Sequence, residues 1–504
     1  MAYTAFVTRI KNLHKHPNAD RLQIGECFGN SVVVSLDYEN NQLGVYFPCD
    51  GRLSFEFANA NNLLRKKDEN GVNVGGYMDT DKRNVTAVRL RGEKSDGLFL
   101  PLKCLEQFGD IATLKEGDRI DTWNGHLICE KYVPRRNPSR NSHAGGNRTN
   151  KKKVPIAPLF AEHADTEQLA YNLSAFKPGD EIEITLKMHG TSQRTGYLPV
   201  VNRNKVEYDA VWKLFIDALI PVKSWKNKFK AKFGKPVYDW GYVSGTRRTV
   251  LEDYEGGYYG SDEFREKHSK SFEGKLWKGE TVYYEVVGFI TNGTPIMANC
   301  NNKKLNDKEF IKQYGETTTF SYGCFPTVKY KHYPDRDGYD MNSEPIFKQS
   351  NMYVYRMTMT NPNGEVVEYT PDFMRYRCEQ MGVKTVPIFA KGHICIDGSV
   401  SWVNMVTGED MTTAIGDEVR ENDPYSFEFN PGDSIKAVAE QFYDGPDPVG
   451  KTHIREGVVV RILNRPKFTA YKHKNFSFKV LEGIVKAEAV EPDMEEAESI
   501  AEEI

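Results

Sequence analysis

Through the first 130 positions, apolar residues alternate with polar ones or run in short blocks. SVVVSL, LGVYFP, VTAVRLRG and GLFLPL are cut apart by Gly, Asn and Asp. A period of two, interrupted every few residues, predicts short strands. Several such strands in about 120 residues predict a small barrel of the OB type. Residues 61–67 read as a short helix or loop with a basic end. From 155 to 486 strand-like segments recur as EIEITLKMHG, DWGYVSG, ETVYYEVVGFI, NMYVYRMTMT, EGVVVRIL and SFKVLEG. Helix-like stretches such as 208–219 and 434–442 lie between them. The expected fold class is α+β: an OB-like β-barrel over 1–130, then a larger domain of antiparallel sheets with flanking helices over 155–486. The stretches 203–240, 255–275, 300–345 and 365–425 read as insertions around a smaller scaffold.

Charge fills the gaps in this pattern. Residues 131–154 are rich in Pro, Gly, Ser, Asn and cations and nearly empty of apolar side chains, which predicts a basic flexible linker. Residues 131–160 hold eight Lys or Arg and no acid, whereas 487–504 hold eight acids and no base. The net charge of −3 therefore hides a mildly basic body, suited to a polyanionic partner, and an acidic tail. With 39% hydrophobic residues the chain can build real cores, and 504 residues fit two or three domains. Eight cysteines lie at 27, 49, 104, 129, 300, 324, 378 and 395 with no CxxC pair. Reduced thiols in a cytoplasmic protein are expected, and no zinc site. The N-terminus meets charge too early for a secretory signal, and no run of about 20 apolar residues is present to span a membrane.

The local signal richest in chemistry is Lys187-Met188-His189-Gly190-Thr191-Ser192, at the end of the strand-like EIEITL. A lysine there can lie beside a phosphate, and the glycine lets the backbone approach closely. Neutral lysine is a nucleophile, and burial or nearby cations favour that form. Alone, the tetrapeptide is a weak signal, and a surface lysine beside a turn glycine is its default reading. It is followed in order by Ser244-Gly245-Thr246-Arg247-Arg248, Tyr283-Tyr284-Glu285-Val286-Val287-Gly288, Tyr353-Val354-Tyr355-Arg356-Met357, Arg455-Glu456-Gly457-Val458-Val459-Val460-Arg461 and Tyr471-Lys472-His473-Lys474.

This ordered series resembles the covalent nucleotidyltransferase superfamily of polynucleotide ligases and RNA capping enzymes. KMHGTS, with His where Asp is usual, resembles the phage RNA ligase 2 type of nucleophile motif. His16-Pro17-Asn18-Ala19-Asp20-Arg21-Leu22, Val45-Tyr46-Phe47-Pro48 and Val88-Arg89-Leu90-Arg91-Gly92 resemble the N-terminal OB module of the Naegleria/Deinococcus-type RNA ligases. DNA ligases and capping enzymes carry that module after the catalytic domain, and about 18 residues after 486 are too few for a barrel. The resemblance implies an ATP-dependent RNA ligase joining 3′-OH and 5′-phosphate RNA ends, at nicks in an RNA or RNA–DNA duplex or in repair.

By the same resemblance Lys187 takes AMP from ATP. Glu285 and Glu456 hold Mg²⁺ or Mn²⁺, and Glu285 also contacts the nucleotide. Lys472 and Lys474 meet the α-phosphate, Arg247 (with Arg248 second) the ribose or 5′-phosphate, and Tyr355 the adenine. His189 belongs to the nucleotide site with its role open, and Arg194 could stand in for the longer side chain that relatives place at Ser192. Arg89, Arg91 and Lys94 could track a nucleic-acid backbone, while the HPNADRL segment is equally a structural turn. A DNA ligase, a capping guanylyltransferase, or a non-catalytic RNA-binding protein with a degenerate transferase domain are the alternatives. Oligomeric state is not encoded in any visible pattern.

Overall fold

The computed structural model describes residues 3–134, 155–207, 235–327, 329–331, 344–412 and 431–488, apart from 68, 72, 256 and 257. The expected helix over 208–219, most of the 131–154 linker and the tail beyond 488 lie outside the described residues. What is described is a mixed α+β protein dominated by small antiparallel sheets, with few helices. No helix among the described residues is long and apolar enough to cross a membrane, and all eight cysteines are free.

Short strands fill the N-terminal unit as the alternating pattern predicts. Leu43–Phe47 lies between Leu98–Pro101 and Ala5–Arg9, and Lys11–Lys15, Leu22–Cys27 and Asn30–Ser35 form a separate meander. Gly51–Leu53 joins a third sheet, with Cys129–Lys131 and Asn84–Val85. The expected closed barrel is not found among the described strands. Asp50 (φ 70°), between Leu43–Phe47 and Gly51–Leu53, takes the left-handed conformation, and the chain leaves one sheet for the next there. Asn12 (φ 53°) does so at a bulge inside Lys11–Lys15, where the pairing with Leu22–Cys27 shifts register. Residues 61–67, read as a short helix or loop, are non-helical and end in the short strand Lys66–Lys67, and a helix lies just before them, over Phe55–Ala60, where the Ser54 side chain caps the first turn.

The C-terminal unit is built on two larger sheets. A six-stranded sheet runs in the order Glu167–Gln168, Thr469–Lys474, Gly457–Ile462, Glu181–Lys187, Ile388–Ile394, Val400–Asn404. A seven-stranded sheet is centred on Thr191–Glu207, Glu280–Gly288 and Ser350–Thr360. In the strand Glu181–Lys187 the period of two does its usual sorting. Ile182, Ile184 and Leu186 join a buried cluster with Val438 and Ala439 of the helix Pro431–Phe442 and with Phe478 and Leu481. Each such side chain contributes roughly 1.5–3 kcal/mol by burial. Glu183, Thr185 and Lys187 point the other way, into a cavity that also meets Glu285 and Tyr355 of the seven-stranded sheet. The apolar face thus fixes the polar one.

Two stretches differ from expectation. SFKVLEG, read as a strand, is part of the helix Phe476–Glu488. Asn475 accepts the Phe478 amide at 3.1 Å as an N-cap, and Phe478, Leu481 and Val485 repeat at helical spacing, which outweighs the β-prone composition. The stretch 365–425, read as an insertion, supplies Ile388–Ile394, which pairs directly with the strand ending at Lys187. That strand is part of the scaffold.

Candidate active site

Lys187, Gly457 and Lys474 are partners across three adjacent strands. Glu456 immediately precedes Gly457, so its carboxylate reaches both lysines. Lys187 Nζ lies 2.6 Å from Glu456 Oε1 and Lys474 Nζ lies 3.4 Å from the same oxygen. Gly457 is required here. Its φ is 148° and a Cβ would strike the His473 carbonyl and meet the Lys474 Cα at 2.8 Å. Gly190 is held by the same logic, because a Cβ there would meet the Val286 carbonyl, Val287 at 2.7 Å and Glu285 Cγ at 3.0 Å. The backbone after Lys187 therefore lies against the strand that carries Glu285.

The cleft beside this rung has a volume of about 260 Å³ and is lined by Lys187, His189, Arg247, Glu285, Glu456, Lys472 and Lys474, with Glu482. Burial alone would raise the Glu456 carboxyl. Lys187, Lys474 and His189 outweigh it and hold the group below the ordinary carboxylate value. Lys472 is pushed down to about 8 by burial and then by Lys474, Lys187 and Arg247. Lys474 goes the other way: burial lowers it, but Glu482, Glu456 and Asp50 together raise it above the ordinary lysine value. Two lysines two positions apart in a strand are thus shifted in opposite directions.

His189 lies edge-on between Phe320 and Phe478, with ring centroids at 4.6 and 4.8 Å, and its amide donates to the Tyr322 hydroxyl at 2.6 Å. Burial moves the imidazole down to about 4, so it is neutral near pH 7. Its Nδ1 is 3.7 Å from Glu456 Oε2, beyond hydrogen-bond length. That buried Oε2 has no hydrogen-bond partner. No group of three or more His, Cys, Asp or Glu side chains is gathered for a metal among the described residues. Two carboxylates lining one cleft, Glu285 and Glu456, the latter with an oxygen that has no hydrogen-bond partner, do suit a divalent ion that keeps its waters and takes its remaining ligands from a nucleotide.

A second cavity shares Lys187, Arg247 and Glu285 with the first and is walled by Tyr355, Phe468, His163, Val459 and Met374, with the Glu183–Arg375 pair. Tyr355 shares a hydrogen bond with Ser192 at 3.0 Å. Tyr353, two residues earlier, is in the core with 4% exposure. His163 packs on Tyr355 at 5.0 Å and on Phe468 at 5.3 Å. Arg247 and Arg248 grip the two oxygens of Asp165 at 2.5 and 3.1 Å. Burial would raise the Asp165 carboxyl, and the two arginines bring it down to about 2.

Of the residues singled out from the sequence, Lys187, His189, Arg247, Glu285, Tyr355, Glu456, Lys472 and Lys474 line the two cavities, while Arg248, Arg194, Arg89 and Lys94 do not. Arg194 spends its guanidinium on the carbonyls of Thr246, Phe160 and Arg248 at 2.9–3.0 Å. It braces the Arg247–Arg248 turn and does not line the cavities. Arg89 and Lys94 stack over Phe476, each at 5.6 Å, and Arg89 also pairs with Asp307 at 3.3 Å. His16 bonds the Leu90 carbonyl at 3.0 Å, so HPNADRL is tied down as a turn. Asp165, His163, Phe468, Glu183, Arg375 and Glu482 were not singled out. Only Phe468, just before the strand of paired lysines, carried a local signal.

No protein-family model matches the chain, and no curated protein does. Among solved structures it is similar to an RNA ligase of Naegleria gruberi with pyrophosphate, at TM-score 0.47 and 14% identity over 96% of this chain and 98% of that one. It is also similar to a point mutant of that ligase with ATP and Mn, at TM-score 0.47 and 14% identity over 95% and 98%. A third likeness is to another mutant, with AMP and Mn, at TM-score 0.46 and 14% identity over 94% and 97%.

Proposed function

We propose that this protein is an ATP-dependent RNA ligase that carries AMP covalently on Lys187. The observation that supports this reading is the Lys187–Gly457–Lys474 rung with Glu456 between the lysines. It sets Lys187 beside an acid and a second cation from much later in the chain, groups that lysine-based nucleotidyl transfer can use.

In the first step Lys187 Nζ attacks the α-phosphorus of ATP. The N–P bond forms, the bond from α-phosphorus to the bridging oxygen breaks, and pyrophosphate leaves with the electron pair. Glu456, at 2.6 Å, is the nearest acceptor for the proton Nζ sheds. In the second step an oxygen of the RNA 5′-phosphate takes the AMP and the N–P bond breaks. In the third the 3′-OH attacks the activated 5′-phosphate and AMP leaves. Each step is in-line displacement at phosphorus, so alignment and charge neutralisation supply most of the catalysis. Lys474, kept charged by its acids, meets the phosphate as a fixed cation, with Lys472 beside it. Glu285 and Glu456 would hold the Mg²⁺ or Mn²⁺, which supplies further neutralisation of phosphate charge when bound. The adenine enters the cavity of Tyr355 and Phe468, and the Arg247–Arg248 turn, braced by Asp165, faces the ribose or the 5′-phosphate.

Incubation with α-labelled ATP and Mg²⁺ or Mn²⁺, followed by a denaturing gel, tests the reading. Wild type acquires label and Lys187→Ala does not; label persisting on the Ala variant removes Lys187 from the chemistry. Labelling by GTP in place of ATP would instead indicate capping. Matched RNA and DNA nicks then decide the substrate, since recognition of the 2′-OH separates the two.

A further inference from the structure

A file of five charged side chains runs from the N-terminal unit to the nucleophile. Glu456 meets Lys474 at 3.4 Å, Lys474 meets Glu482 at 2.6 Å, Glu482 meets Lys486 at 3.3 Å and Lys486 meets Asp50 at 3.2 Å. The sign alternates at each step. Lys479, on the same helix as Glu482 and Lys486, meets Asp96 of the N-terminal unit at 2.5 Å. The helix Phe476–Glu488 sets the spacing. Positions 479, 482 and 486 fall on one face, while Phe478 and Leu481 turn to the core.

Glu482 is the member that the order of sequence motifs leaves unexplained. A buried carboxylate adds nothing to an apolar core and is costly unless paired. Glu482 is 15% exposed and paired twice. Lys474 consequently sits between two carboxylates, Glu456 on the nucleophile side and Glu482 on the other. An ammonium with one partner follows that partner; with two it has a fixed place. Burial would raise Glu482, but Lys474 and Lys486 hold it well below the carboxylate range, so its charge persists at working pH.

We propose that Glu482 is a positioning residue that holds the Lys474 ammonium where it meets the α-phosphate, and that the Lys486–Asp50 pair makes this hold depend on docking of the N-terminal unit. The proposal rests on the reading of Lys187 as the nucleophile. It makes the N-terminal unit a contributor to the chemistry of AMP transfer, in addition to any part it has in holding a polynucleotide.

The test uses the full chain with Glu482→Gln, Glu482→Asp, Asp50→Asn and the Glu482→Gln/Asp50→Asn double variant. Asn tolerates the left-handed backbone at 50, so Asp50→Asn removes charge without strain. Single-turnover AMP labelling is followed against ATP concentration. Glu482→Gln is expected to lower the maximal rate by about tenfold or more with half-saturating ATP nearly unchanged. Glu482→Asp recovers part of the loss, and Asp50→Asn loses roughly threefold. The double variant is no slower than Glu482→Gln, because both act on one path. An unchanged maximal rate in Glu482→Gln, a change confined to half-saturating ATP, or additive losses in the double variant overturn the proposal.

A brief amine-acetylation pulse read by mass spectrometry is the companion measurement, and it does not need AMP transfer. Lys474 should react several-fold faster in Glu482→Gln and Asp50→Asn than in wild type; equal reactivity in all three overturns the hold. A wild type that takes no AMP but shows this acetylation pattern sinks the nucleophile reading and leaves the hold standing. If Glu482→Gln does not fold, Asp50→Asn decides alone, and wild-type values in both measurements overturn the proposal.

Discussion

Two buried glutamates, Glu280 and Glu456, show how differently this fold can use the same side chain. Glu280 is fully buried. Its Oε1 accepts from Tyr369 at 3.0 Å and Arg377 at 2.9 Å, and its Oε2 from Arg377 at 2.8 Å and the Trp277 amide at 2.7 Å. Glu456, 2% exposed, has one oxygen shared by Lys187 and Lys474 and the other with no hydrogen-bond partner. The first is saturated and walled off; the second is under-satisfied beside a cleft. A saturated buried carboxylate staples a fold, whereas one with spare capacity next to open volume is equipped to change partners during a reaction.

Exchanging the two side chains for glutamine should break the comparison most sharply. Glu456→Gln is expected to lower the rate of AMP labelling by about 10²-fold or more, read on the denaturing gel, in protein that still folds. Glu280→Gln should leave labelling per folded molecule unchanged. Its cost is stability, about 3–5 kcal/mol, because Arg377 is left as a buried unpaired charge; denaturant unfolding measures it. The comparison fails if Glu456→Gln labels at the wild-type rate.

A medium effect sharpens the contrast between the paired lysines. Lys472 sits at about 8 in the free protein, so it sheds its proton as pH rises through 8, while a bound triphosphate favours the charged form. Binding should therefore take up a proton, and ATP affinity should fall above pH 8. In stability terms the sign is reversed: the unfolded chain holds this proton up to about 10.4, so the stability contribution rises between the two values. Lys472→Arg, always charged, should flatten the affinity profile in a titration of ATP binding from pH 7 to 9.5. A slope unchanged by this substitution would remove Lys472 from the phosphate site. The smallest effect is expected from Asp165→Asn, which loosens Arg247 and Arg248 without touching Lys187. It should raise the KM for ATP or the 5′-phosphate strand by roughly threefold with little change in kcat, as steady-state sealing kinetics would show.

Much of the site was legible because it is written as short local patterns. KMHG ends a strand, EG opens the next and KHK alternates on a third, and each pattern survives without knowledge of its partners. What could not be read is what reaches the site from outside those patterns. Asp165 follows the linker with no motif around it, and Glu482 lies in a helix whose sequence, SFKVLEG, is as β-prone as the strands beside it. Only the Asn475 cap and the helical spacing of Phe478, Leu481 and Val485 decide the matter. The OB-like barrel was over-read for a related reason. The period-two pattern gives strands but not their closure, and the bulge at Asn12 and the turn at Asp50 are spelled with residues that serve ordinary loops equally well.

The rung of Lys187, Gly457 and Lys474 also has a consequence for how the protein comes into being. Its members pair across strands that are made far apart in time, since a ribosome delivers residue 187 long before 457 and 474. Until the last of these emerges, the lysine has neither its acid nor its companion cation, and the strand that bears it lacks a neighbour on that side. Long-range pairing of this kind is slow to form, so competence for AMP transfer should arise late and all at once. If Lys187 carries AMP as proposed, acquisition of labelled AMP would then mark completed folding of the C-terminal unit, without any structural probe.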